Sequence, residues 1–224
     1  MRSNEFLDRF GKFNAVFSRS DAEQRAMKLR DSLLTPRGAR GPQAPHLEPV
    51  NMARLTIALT ASETAPRAAD TVIEYAKMSA IGKRLFGGAN DFETALTEIF
   101  KGKIDNKEGR FKIDVNEVVV CRSWPEATII LMDRSEFKFS TLEPPNPEKM
   151  VCRIDFHIGW PFLHNIISAL ATEKRMAKLK TKIKTNADSD AHFLYIQQMN
   201  KIGEKQGGDA ARACGAGMEE KKSI

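Results

Sequence analysis

Arg37 and Arg40 are separated by Gly38 and Ala39 and followed by Gly41, inside the run Pro36-Arg-Gly-Ala-Arg-Gly-Pro-Gln-Ala-Pro-His46. Guanidinium groups offer paired N–H donors to phosphate oxygens, and glycine lets a backbone come close to such a ligand. These residues predict phosphate contact by the loop. The plainer reading is an ordinary surface turn, since proline and glycine at this density preclude regular structure. A second basic feature is Lys174, Arg175, Lys178, Lys180, Lys182 and Lys184, with no acid between the first and the last. Three readings fit it: a solvated helix face, a nucleic-acid-contacting arm, or a membrane-surface helix. The last is disfavoured because only Met176, Leu179 and Ile183 supply bulk on the apolar side.

Other chemistry is thinner. Cys152, His157 and His164 match no zinc-ligand spacing, and strand alternation would put Cys152 and His157 on opposite faces, so no metal is expected. Cys121 and Cys152 read as small apolar core residues and Cys214 as an exposed one. No nucleophile elbow, phosphate-binding loop or dinucleotide fingerprint occurs, and no cofactor is expected. Glu136 and Lys138 share one strand face, and Asp114 or Asp133 could add a second carboxylate for Mg²⁺. That arrangement loosely resembles the Glu-x-Lys half of restriction-endonuclease-like sites, and Glu-x-Lys is also common on solvent-facing strands. Trp124 and Trp160 each precede a proline and read as packing residues before base-stacking ones.

The elements that would position these groups follow from periodicity. Phe6, Phe10, Phe13 and Phe17 recur at helical spacing and form an aromatic stripe for the core or for a second subunit. Ser20 and Glu23 match a capping box, opening a helix with Ala26, Leu29, Leu33 and Leu34 inward and Thr35-Pro36 as its end. Further helices are expected from Pro49 to Ala61, from Thr64-Ala-Pro66 to Ser79, and from an Asn90/Glu93 cap to Lys101. The period then changes to two. Strands are expected over 111–122, 127–133, 136–141 and 150–158, with Cys152, Ile154, Phe156 and Ile158 inward on the last. Pro161 opens a long helix whose Phe162, Ile166 and Leu170 would cover the sheet.

The sequence thus predicts an α+β fold. A helical N-terminal module is followed by a small antiparallel β-sheet, one face packed and one wetter, covered by a long C-terminal helix. Its expected parts are an amphipathic segment 1–18, a helical module 19–104, the sheet with its basic helix 105–185, and a short helix and flexible tail 186–224.

Charge gives the functional lean. The 224 residues hold 35 Lys and Arg against 29 Asp and Glu, a net charge of +6. Residues 1–105 carry 16 basic and 13 acidic groups, residues 106–172 carry 8 and 9, and residues 173–224 carry 11 and 7. The neutral middle and basic flanks favour a polyanionic partner, whose neutralised phosphates release counterions. No run approaches the ~18 apolar residues of a spanning helix, so no membrane partner is expected. Three scattered cysteines and no leader segment predict a cytoplasmic chain.

The stretch from Leu33 to His46, running into Ala53, Ile57, Ala58 and Ala61, is similar to a segment of small uncharacterised proteins of bacterial prophages. The similarity covers about 45 residues, from Asp21 to Ala65. It implies a phage-associated role and a helix-turn-helix-like N-terminal module, and it carries over no catalytic residue. The expectation is a non-enzymatic DNA-binding or regulatory protein using Arg37, Arg40, Lys174, Arg175, Lys178, Lys180 and Lys182. The alternative is a structural or self-assembling component docking through Phe6, Phe10, Phe13 and Phe17. A metal-dependent nuclease stands third.

Overall fold

Side-chain oxygens fix where two of the helices begin. In the computed structural model, which describes residues 1–13, 18–38, 44–82, 86–102, 115–141 and 153–185, α1 spans Ser3–Phe13 and α2 spans Arg19–Asp31. The N-cap of α2 is Ser18, whose hydroxyl accepts from the Asp21 amide at 3.1 Å. Ser20, the expected cap, lies inside the helix, and Glu23 turns to Arg19 at 2.8 Å rather than back to a cap amide. At the other end α2 stops at Asp31, before the expected Thr35-Pro36. Leu33 there takes a left-handed φ of 59° and points into solvent.

After the loop come α3 (Pro49–Thr60), a 3₁₀ turn (Ala65–Arg67), α4 (Ala68–Ala76) and α5 (Phe92–Lys101). Pro49 starts α3 at a position whose free N–H would have no helical partner, a place proline suits. The cap of α5 is Asp91, accepting from the Thr94 amide at 2.8 Å, one residue past the expected Asn90. Gly102 ends α5 with φ +50°, and a Cβ there would stand 2.5 Å from Ile167 Cγ2. Glycine is required at that position by both the backbone and the neighbour.

Strand β1 (Ser79–Ile81) follows α4, where helix was expected to continue to Ser79. Three further strands, β2 (Val115–Cys121), β3 (Glu126–Leu131) and β4 (Glu136–Ser140), form a meander, and β5 (Asp155–Gly159) leads into α6 (Trp160–Thr185). All pairings are antiparallel, in the order β1-β4-β3-β2-β5. Residues 111–114 and 150–152, expected at strand starts, lie outside the described residues.

One sheet face is dry. Val118, Val120, Ala127, Ile129, Phe137, Phe139, Phe156 and Ile158 are buried, while the alternate positions Glu117, Val119, Thr128, Glu136, Lys138 and His157 are exposed or half-buried. Ile154, expected inward, is 51% exposed. It precedes β5, held by its amide on Ser123 Oγ and its carbonyl on the Arg122 amide, so strand alternation does not yet apply to it.

The dry face, α1 to α5 and the start of α6 share one core. The chain divides into a compact unit, Met1–Ala171, and a second beginning at Thr172, of which Thr172–Thr185 is described, as helix. Among the described residues no helix is long and apolar enough to cross a membrane.

Candidate nucleic-acid interface

The second half of α6 has the sequence Thr-Glu-Lys-Arg-Met-Ala-Lys-Leu-Lys-Thr-Lys-Ile-Lys-Thr, from Thr172 to Thr185. Alanine, methionine, lysine and arginine are good helix formers, and no glycine or proline interrupts the run. Lys174, Arg175 and Lys178 are exposed, whereas Glu173 and Met176 are half-buried. At 3.6 residues per turn these three cations fall within an arc of about 100°, with Lys174 and Lys178 about 6 Å apart along the axis. Lys180 and Lys182 continue the same helix, but their side chains lie outside the described residues.

Like charges four residues apart on a helix repel by about 0.2–0.5 kcal/mol, which opposes the pair Lys174/Lys178. A polyanion beside them would offset that repulsion.

Arg37 is exposed and bonds to its own chain. Its Nε donates to the Arg30 carbonyl at 3.0 Å and its Nη2 to the Asp31 carbonyl at 2.7 Å. Those carbonyls belong to the last turn of α2, where four C=O groups have no helical partner. The backbone amides of Ser32, Leu34 and Leu33 take Lys28, Leu29 and Arg30. Arg37 therefore completes a helix end. Gly38 serves packing too, since a Cβ on it would stand 2.5 Å from Pro45 Cδ. Arg40 lies outside the described residues.

The aromatic stripe is enclosed by the chain itself. Phe6 is 0% exposed and Phe10 2%, so neither ring is open to a second molecule in this structure. Phe6 meets Phe100 at 6.2 Å, and Phe10 meets Phe162 at 5.2 Å and Phe156 at 6.1 Å. Phe13, at the end of α1, keeps part of its surface in solvent and touches Phe162. Phe17 lies outside the described residues.

Glu136 and Lys138 do share the open face of β4, where they face each other at 3.4 Å. Asp133 accepts from the Ser135 amide at 2.9 Å within the β3–β4 turn, and Asp114 lies outside the described residues. Among the described residues no group of three or more His, Cys, Asp or Glu could hold a metal ion. His157 pairs with Glu117 at 2.7 Å, and His164 rests against Trp160, so the two histidines have separate partners. Trp124 donates to Glu126 at 3.1 Å and lies under the Arg153 guanidinium, which covers one ring face. Hydrogen bonds to Asp155, then Glu126, hold Arg153 more firmly charged than usual.

A polar cluster at the C-terminal end of α3 escaped the sequence reading. Arg25 donates from Nε to Asp21 at 2.9 Å, from Nη1 to the carbonyls of Ala58 and Ser62 and to the Ser62 hydroxyl, and from Nη2 to Glu63 O. Arg122, in the β2–β3 turn, donates to the Thr60 carbonyl at 3.0 Å. Burial, then the charge of Arg25, lowers the Arg122 pKa. Tyr75 donates to the Cys121 carbonyl at 2.8 Å, and burial pushes its hydroxyl well above the usual tyrosine range. Cys121 is itself buried, and desolvation raises its thiol pKa. Together these groups tie α2, α3, α4 and the sheet to one helix end, a structural task.

Fold and surface define an α+β protein with a half-open antiparallel sheet and a C-terminal helix that becomes basic beyond Thr172. Compared with known proteins, the chain matches no family model, no curated protein and no solved structure.

Proposed function

We propose that this protein is a non-enzymatic nucleic-acid-binding protein, contacting DNA phosphates through the basic second half of α6. The observation that carries this reading is the exposure of Lys174, Arg175 and Lys178 on one arc of that helix. Lys180 and Lys182 are left out of the proposed surface, because their side chains lie outside the described residues. Arg37 is left out of it, because its guanidinium already serves the α2 terminus. The prophage resemblance supports a phage-associated setting and adds no residue to the interface.

The test is fluorescence anisotropy with a labelled duplex at low salt. Wild-type protein binds, and the triple variant Lys174→Gln/Arg175→Gln/Lys178→Gln binds at least ten-fold more weakly, about 1.4 kcal/mol. Glutamine keeps the helix propensity close to that of lysine and arginine, so circular dichroism should be unchanged. Equal binding by the two proteins would remove the proposed surface.

A further inference from the structure

Resting on the nucleic-acid reading above, we infer that the helix Thr172–Thr185 follows the phosphate backbone of duplex DNA without reading its sequence. Base sequence is read by groups with fixed donor and acceptor geometry, such as bidentate arginine on guanine or asparagine and glutamine on adenine. Between Thr172 and Thr185 there is no Asn or Gln, and Arg175 is the one arginine. Its neighbours in the arc, Lys174 and Lys178, carry flexible point charges that suit phosphate and discriminate little between bases.

The same composition selects duplex over single strand. Single-strand binders place aromatic rings under successive bases. Thr172–Thr185 contains no Phe, Tyr, Trp or His. Without that platform the remaining attraction is counterion release, which is larger per neutralised charge on duplex than on single strands, with coefficients of about 0.9 against 0.7. Dimensions agree, since a helix of about 10–12 Å diameter is admitted by a major groove about 12 Å wide. An anionic membrane would offer phosphates too, but surface helices anchor through bulky apolar and aromatic residues, and here only Met176, Leu179 and Ile183 are present.

The full chain would be titrated, at low salt, against unrelated duplexes of about 20 bp, single strands matched in phosphate number, and phosphatidylserine vesicles. The expected result is duplex affinities agreeing within about three-fold, with single strands and vesicles bound more weakly. Preference for one duplex by about a hundred-fold or more, as base-reading proteins show, would overturn the inference while leaving the nucleic-acid reading intact. Tighter binding to the single strands would do the same. Binding to vesicles alone, or to nothing, would overturn both.

Discussion

Arg25 is 2% exposed and donates to Asp21, Ala58, Ser62 and Glu63, so removing it strands several buried acceptors at once. We expect Arg25→Ala to destabilise the fold by about 3 kcal/mol, read as a lower urea midpoint, because breaking a buried charged network costs more than its net value. A shift under ~0.5 kcal/mol, as for an ordinary surface change, would contradict this role. The residue stands on the same face as Ala22, Ala26 and Leu29, which the helical period alone reveals. Apart from Asp21 one turn earlier, its partners are 33 to 38 residues further along the chain, and no local pattern reveals them. Tyr75 gives a pH-dependent counterpart. Its folded hydroxyl stays protonated above the pH near 10 at which an unfolded tyrosine ionises, so its contribution is present below ~pH 10 and lost as pH rises further. Tyr75→Phe should cost about 1 kcal/mol at neutral pH and lose less stability than wild type between about pH 10 and 11. Parallel alkaline limbs for the two proteins would show that Tyr75 is not buried as described.

Helix ends show where local chemistry was legible and where it slipped. The sequence pattern places α2, α3, α4 and α5 within a few residues, but two competing cap residues stand close together at each of two starts, and hydrogen-bond geometry decides between them. At the end of α2 the apolar Leu33-Leu34 reads as more helix, whereas Leu33 takes the left-handed position of a Schellman turn. The Leu34 amide reaches back to Leu29 and the Leu33 amide to Arg30. A leucine there carries a Cβ penalty, and at 72% exposure it buries little in return. Leu33→Gly should therefore stabilise the protein by roughly 0.5–1 kcal/mol, a rise of about 2 °C in Tm, whereas Leu33→Ala should bring no gain. Equal Tm values for the two variants would contradict the strain argument. Strands were legible wherever residues alternate, as in Phe156-His157-Ile158. Strand β1, three residues beside β4, is too short to show a period and is defined by its pairing.

At the scale of the molecule, the aromatic rings of α1, the sheet and α6 use one another as core. This is why Phe6 and Phe10, conspicuous as a stripe, are not a surface. Composition could not separate those alternatives, because a stripe made for a core and one made for a partner have the same period. The basic run was legible as a charge pattern, and the structure adds that Lys174, Arg175 and Lys178 are exposed on one helix beyond Ala171. Coulomb attraction to phosphates through such groups has a signature that packing and hydrophobic binding lack, a linear fall of log affinity with log salt. The most direct measurement is that salt series for the full chain on duplex DNA, run beside Lys174→Gln/Arg175→Gln/Lys178→Gln. The slope should be negative for wild type and shallower by about 2.7 in the variant, 0.9 for each cation removed. No binding at low salt, or the same slope in both proteins, would contradict phosphate contact by this helix.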